Sequence, residues 1–209
     1  MGIITKVLRA GDEARISRFH TLRGELIPKK EILTLPIELV LRVTGFKRKG
    51  PWLSRNAISA LSDLLTDGKH NRVLEIGGGE STAYFAKRSS FLMTIEEDSS
   101  WAARIQAKIK KNDNEFQLVI SSLEEWLPTR TENNMDFDIV LIDGGSDSQR
   151  LKALEILPKL NPNAVFVLDN SDRKIFSHVD FHTLPKRVIR YSGMIRHPFQ
   201  ATETTFYYF

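Results

Sequence analysis

From residue 52 onward, apolar positions follow two alternating rhythms. Short apolar runs at residues 72–76, 91–95, 117–120, 138–142 and 164–168 read as strands. Between them lie stretches whose apolar residues recur three and four apart. Residues 54–65 put Ile58, Leu61, Leu64 and Leu65 on one face, and 81–88, 99–111, 123–127 and 147–160 behave alike. These stretches read as helices. Ser54, and Asp98 or Ser99, stand where N-caps belong; Pro128 and the pair Asn161-Pro162 act as stops. Strand runs that are nearly all apolar suit a sheet buried on both faces. The alternation predicts an α/β fold, doubly wound and Rossmann-like, with helices on both sides of a mostly parallel sheet.

Both ends break this rhythm. Residues 181–184, 188–191 and 204–209 read as strands with no helix between them, so an antiparallel C-terminal pair should finish the sheet. The last run is apolar and aromatic, which suits a buried strand better than an exposed edge. Residues 12–23 and 32–43 are short amphipathic stretches, set off by Pro28 and Pro36. A basic loop, 45–51, follows with Lys47, Arg48 and Lys49. The expected organisation is an N-terminal helical extension, 1–50, covering one face of a domain at 51–209.

A chain of 209 residues with 41% hydrophobic content can bury one sizeable core. The absence of cysteine excludes a disulfide framework, a thiolate metal site and a cysteine nucleophile, and it suits a reducing compartment. No apolar run is long enough to predict a membrane span. The first residues lack the apolar stretch and cleavage site of a secretory signal, so a cytoplasmic location is expected. The net charge of +4 permits contact with nucleic acid. Lys and Arg are scattered, however, and a small-molecule partner is the favoured expectation.

Chemistry concentrates where strand 72–76 meets the next helix. Gly77, Gly78 and Gly79 allow a sharp turn and a close ligand approach. The helix start, at Ser81 and Thr82, offers free N–H groups. A dinucleotide fingerprint wants a small third residue where Thr82 stands, so a tight pyrophosphate turn is disfavoured. Glu75, just before the loop, suits a cationic ligand such as an ammonium group. Glu96 closes the next strand, 19 residues after Gly77, where a carboxylate accepts hydrogen bonds from ribose hydroxyls. An amino group with a ribose and no pyrophosphate describes S-adenosylmethionine.

These residues resemble a known family. The run EIGGG from Glu75 to Gly79 looks like the E/D-x-G-x-G loop of class I S-adenosylmethionine-dependent methyltransferases. TIEEDSSW, from Thr94 to Trp101, resembles the acidic segment of their small-molecule O-methyltransferase branch. FDIVLID, ending at Asp143, and VFVLDN, ending at Asn170, resemble its fourth and fifth strands. The resemblance covers about residues 52–209. It implies cofactor contacts from Glu75, Gly77, Gly78, Gly79, Ser81, Thr82, Glu96 and Asp143. It places Ser121 or Ser122, with Leu123, against adenine, although either serine also suits a helix cap. Asp143 is the implied catalytic residue.

Asp143, Asp169 and Asn170 are similar to the metal ligands of catechol and caffeoyl-coenzyme A O-methyltransferases. The resemblance thus implies Mg²⁺ and a vicinal diol; Asp169 and Asn170 also suit helix capping. One departure stands out. That family carries a lysine base three residues after the first Asp, and this chain has Ser146. Asp143 itself, Asp147, His178 and His182 are the other candidate bases. Trp101 and Trp126 read as core, and Trp52 as core or as a face for the sulfonium. Two alternatives stay open: an RNA or DNA methyltransferase, although the Asn-Pro-Pro-aromatic tetrapeptide is absent, and a non-catalytic cofactor-binding subunit.

Overall fold

The computed structural model describes residues 15–33, 50–65, 71–109, 114–131, 135–181, 183–196 and 199–209. Helices α1 (Lys29–Leu33) and α2 (Arg55–Leu64) precede the sheet. Strand β1 (Arg72–Ile76) leads into α3 (Glu80–Phe85), and β2 (Phe91–Glu96) into α4 (Ser99–Lys108). Next come β3 (Glu115–Ile120) with α5 (Leu123–Trp126), and β4 (Ile139–Ile142) with α6 (Asp147–Leu160). Strand β5 (Val165–Leu168) precedes a hairpin of β6 (Arg187–Arg196) and β7 (Phe199–Tyr208).

The strand order is β3-β2-β1-β4-β5-β7-β6. β1 to β5 pair in parallel, and β7 runs antiparallel to both its neighbours. The order reverses between β1 and β4. Loops from those two strand ends diverge to opposite sides there, and such a switch point is where open α/β sheets bind ligands.

Both faces of the sheet are covered, which is why the strands are so uniformly apolar. Leu74, Ile76, Val140, Ile142, Phe166 and Leu168 face one core, closed by Ala153, Leu154 and Leu157 of α6 and by Trp126. Val73, Leu92, Leu141, Val167 and Phe206 face the other, closed by Ala57 and Leu61 of α2 and Phe85. Side-chain caps start four helices. Ser54 accepts from Ala57 N, Asp98 from Ser100 N and Trp101 N, Ser122 from Glu125 N, and Ser146 from Gln149 N. Each such cap contributes about 1 kcal/mol.

The last strand of the chain is an inner one. β7 inserts between β5 and β6, and Phe206 is wholly buried. β6 takes the edge and exposes Arg187 and Arg190, charges of the kind that discourage edge-to-edge pairing.

Some expected elements differ. Residues 15–23 form turns and a bridge between His20 and Leu26 rather than a helix. Ser17 Oγ accepts from Phe19 N and bonds His20 Nδ1, while Gly24 adopts φ +81°; these local bonds outcompete a helical ladder. Of the expected 32–43 stretch, only Ile32 and Leu33 are described, at the end of α1; residues 12–14 and the Lys47–Lys49 cluster lie outside the described residues. The expected strand at 181–184 does not form among the described residues. Phe181 instead packs its ring against Tyr207 and Phe209. The helices expected at 81–88 and 99–111 stop at Phe85 and Lys108, and β3 starts at Glu115, two residues early. Among the described residues, no helix is long and apolar enough to cross a membrane.

Phe206→Ala should cost about 3–5 kcal/mol in urea unfolding, as a deleted core aromatic does. Val188→Ala, on the exposed edge strand, should cost under about 1 kcal/mol. Equal losses would contradict the inner position of β7.

Candidate functional site

Backbone packing builds the site. Gly77 follows β1 with φ +85°. A Cβ there would lie 2.0 Å from Gly144 Cα, and one on Gly144 would lie 2.1 Å from Gly77 Cα. The N–H groups of Asp143 and Gly144 both donate to Ile76 O, at 3.0 and 2.7 Å, and Gly77 N donates to Ile95 O at 2.8 Å. The loops after β1, β2 and β4 are thereby tied together. Their junction borders a cleft lined by Ile76, Gly77, Ile95, Glu96, Glu97, Ser121, Leu123, Gly144, Gly145 and Gln149. Four of these, Gly77, Glu96, Ser121 and Leu123, were expected from the sequence.

Glu96 is held rigidly. Its Oε2 accepts from Gly78 N and its Oε1 from Asp98 N, both at 3.0 Å. Each oxygen keeps acceptor capacity for a hydroxyl in the cleft. Trp101, expected in the core, is only partly buried, and its indole N–H donates to Gly78 O at 2.8 Å. A Cβ on Gly78 would lie 2.3 Å from Ile105 Cδ1. The glycine loop therefore rests directly on α4, without room for a side chain.

Glu75, Ser81 and Thr82 lie beneath the loop rather than in the cleft. Glu75 is fully buried; its Oε2 accepts from Thr82 Oγ1 at 2.6 Å and from Thr94 Oγ1 at 2.8 Å. Thr82 Oγ1 also accepts from Gly79 N at 2.8 Å. The third position of the motif is thus a threonine because its hydroxyl links the carboxylate to the loop. Burial pushes Glu75 up to about 7, against the hydrogen-bonding hydroxyls of Ser81, Thr82 and Thr94 that pull it down. Its Oε1 makes no hydrogen bond of good geometry.

The two serines separate. Ser122 caps α5, whereas Ser121 lines the cleft and donates to Ser122 O at 3.1 Å. Gln149 spans the opposite wall. Its Nε2 donates to Glu124 Oε2 at 2.6 Å, and its Oε1 accepts from Ser146 N at 2.6 Å. Ser146, at the place of the missing lysine, completes this capping box on α6. Glu97, Gly145 and Gln149 were not expected. Gly145, with φ +79°, belongs to a glycine pair after Asp143, and that pair was the available signal.

The carboxylates after β4 and β5 also meet. Asp143 is half-buried, and burial, foremost, raises both it and Asp169 above the usual carboxylate range. Asp169 is 4% exposed, and its Oδ1 accepts from Thr204 Oγ1 at 2.8 Å. Asn170, in the left-handed region at φ 48°, donates to Thr202 Oγ1 at 2.9 Å, and its Oδ1 accepts from Arg173 at 3.2 Å. The guanidinium of Arg150, 2% exposed, donates to the carbonyls of Ile142 and Asp169.

A hard divalent ion needs several oxygens free to coordinate it. Of the expected ligands Asp143, Asp169 and Asn170, Asp169 Oδ1 is engaged by Thr204, and the Asn170 amide by Thr202 and Arg173. As arranged, the set does not fit such an ion. Among the described residues, no group of three or more His, Asp or Glu side chains is placed to hold a metal. Asp147 forms an ion pair with Arg173. The side chain of His178 and all of His182 lie outside the described residues. Trp126 is core, and Trp52 is 55% exposed. Residues 15–27 close the far side: Leu22 N donates to Asp172 Oδ2 at 2.7 Å, Arg15 pairs with the same oxygen at 3.3 Å, and Arg23 donates to Ser171 O at 2.9 Å.

Glu75 makes stability pH-dependent with a defined sign. Its folded-state value, about 7, lies above the ordinary 4.5 of a glutamate, so the folded protein holds a proton that the unfolded chain releases. Stability from this group is present below pH 4.5 and is lost as pH rises to about 7, by about 3 kcal/mol. Glu75→Gln should remove that part of the urea-unfolding pH profile. An unchanged profile would refute the buried, protonated state.

No protein-family model matches this chain, and no curated protein matches it. Solved structures do. An O-methyltransferase from Bacillus cereus in complex with SAH is 17% identical, over 86% of this chain and 91% of its own, with a TM-score of 0.56. The O-methyltransferase TomG from Streptomyces achromogenes, in complex with SAM, is 20% identical over 73% of this chain and 78% of its own, with a TM-score of 0.53. An rRNA methylase from Streptococcus thermophilus is 12% identical over 78% of this chain and 98% of its own, also at 0.53. With its reversal of strand order at β1/β4 and its inserted antiparallel β7, the chain has the fold of the class I S-adenosylmethionine-dependent methyltransferases.

Proposed function

We propose that this chain is an S-adenosylmethionine-dependent methyltransferase acting on a small-molecule acceptor, at oxygen. The observation that carries the reading is Glu96, fixed by the N–H groups of Gly78 and Asp98 at the mouth of a side-chain-free turn. A fixed carboxylate there suits the two ribose hydroxyls. Ser121 and Leu123 suit the adenine, with Gln149 on the facing wall. The backbone of Gly77, Gly78 and Gly79 would take the methionine end. When bound, the cofactor supplies an electrophilic sulfonium methyl.

The residues after β4 and β5 would serve the acceptor. Asp143, directly after β4, would take the proton of an acceptor hydroxyl. Alignment within a closed site would supply much of the acceleration. Residues 1–50, as an extension, would contribute an acceptor wall through the contacts of Arg15, Leu22 and Arg23. A cytoplasmic setting accords with the lack of cysteine.

The rRNA methylase among the similar structures and the net charge of +4 favour a second reading, RNA methylation. The described rim argues against it. Glu97, Asp98, Glu124 and Glu125 are all exposed beside the cleft and would repel phosphates.

Calorimetric titration with S-adenosylhomocysteine tests the cofactor. We expect micromolar binding, weakened at least about tenfold, a loss of some 1.4 kcal/mol, in Glu96→Ala. A folded, cofactor-free protein that does not bind would sink the proposal. Methyl transfer from labelled cofactor to RNA, and not to a small-molecule extract, would replace the acceptor.

A further inference from the structure

The charges at the ends of β4 and β5 form a closed set. Arg150 lies near the start of α6, almost wholly buried. Its Nη2 donates to Ile142 O, at 3.3 Å, and to Asp169 O. Ile142 ends β4 and Asp169 directly follows β5. One guanidinium therefore clamps the two strand ends that carry Asp143 and Asp169. Its Cζ stands 5.5 Å from the Phe176 ring centre, with α6 and that ring shielding it from water.

The charge balance follows. Asp143 and Asp169 bring two carboxyl groups to these strand ends, and Asp169 Oδ1 accepts from Thr204 Oγ1 at 2.8 Å. Arg150, within electrostatic reach of both, carries one positive charge. Asn170 Oδ1 is taken by Arg173, and Arg173 by Asp147. An incoming divalent ion would have to displace these partners and sit beside a buried guanidinium, and like-charge repulsion opposes it.

We propose that Arg150 is the fixed cation of this site: a positioning residue that holds the Asp143–Asp169 pair where a divalent ion would otherwise do so. Methyl transfer then needs no metal, and the acceptor needs no chelating pair of oxygens. This rests on the methyltransferase reading, and two separate titrations keep the two apart.

The full chain is first titrated with S-adenosylhomocysteine and then, loaded, with MnCl₂, following free Mn²⁺ by electron paramagnetic resonance. Failure of the first titration overturns the methyltransferase reading. In the second, no Mn²⁺ should bind up to millimolar concentrations; saturable binding that Asp169→Asn abolishes overturns the role of Arg150. The charge argument is read separately by thermal melting. Arg150→Met should lower the melting temperature by about 10 °C, since it strands a buried charge. Arg150→Met/Asp169→Asn should recover most of that loss, and Arg150→Lys should fall between. Additive losses in the double variant would mean that Arg150 only fills space. Should Arg150→Met not fold, recovery of folded protein in the double variant reads the same rescue, and its absence the same refutation.

Discussion

At the switch point of the sheet, the backbones of Gly77 and Gly144 approach so closely that a Cβ on either would lie about 2 Å from the Cα of the other. No side chain fits between them. Ile76 O accepts from both Asp143 N and Gly144 N, so the two loops leave their strands as one unit. Every later feature depends on that contact. It brings Glu96 on one side and Gly144 and Gly145 on the other to a single opening. It also explains why each loop carries glycine where it touches the other.

Beneath this contact the protein buries several acidic groups, and each is met by a specific partner. Glu75 is tied to Thr82 and Thr94, Asp169 to Thr204, and Glu203 to Ser171 and Arg23. Groups of this kind cost free energy unless hydrogen-bonded, and here they fasten the loops rather than fill the cores. The threonines of β7 illustrate the logic. Thr202 and Thr204 are wholly buried, yet both serve the ends of β5, through Asn170 and Asp169. The inserted antiparallel strand thus fixes the end of β5 as well as completing the sheet.

The same economy accounts for the departure from catechol-type enzymes. Where they carry lysine, Ser146 caps α6, and Gln149 closes the cap while facing the cleft. A lysine there would forfeit the cap. The neighbouring positive charge comes from Arg150 one turn further on, directed inward. Loss of a mobile ammonium and gain of a buried guanidinium are therefore two sides of one local arrangement.

Periodicity determined the strands, the helices and their parallel winding, because a strand buried on both faces must be apolar throughout and a helix must present a stripe. It also determined that the aromatic C-terminal run would be covered, and that the glycine loop and Glu96 would stand at neighbouring strand ends. Turns 15–23 were not legible, since Ser17 and Gly24 act through local bonds that an amphipathic pattern hides. Nor was the strand order that puts β7 inside. Only the tertiary structure decided which acids face the cleft and which lie beneath it. Glu75 and Glu96 occupy like places in the chain, but Glu75 points into the layer between sheet and helices while Glu96 lines the opening. Trp101 and Arg150 read as ordinary helix residues, and their roles arise from carbonyls far away in sequence, at Gly78, Ile142 and Asp169. Local pattern carries burial and period; it carries no information about which distant carbonyl or carboxylate a side chain will meet.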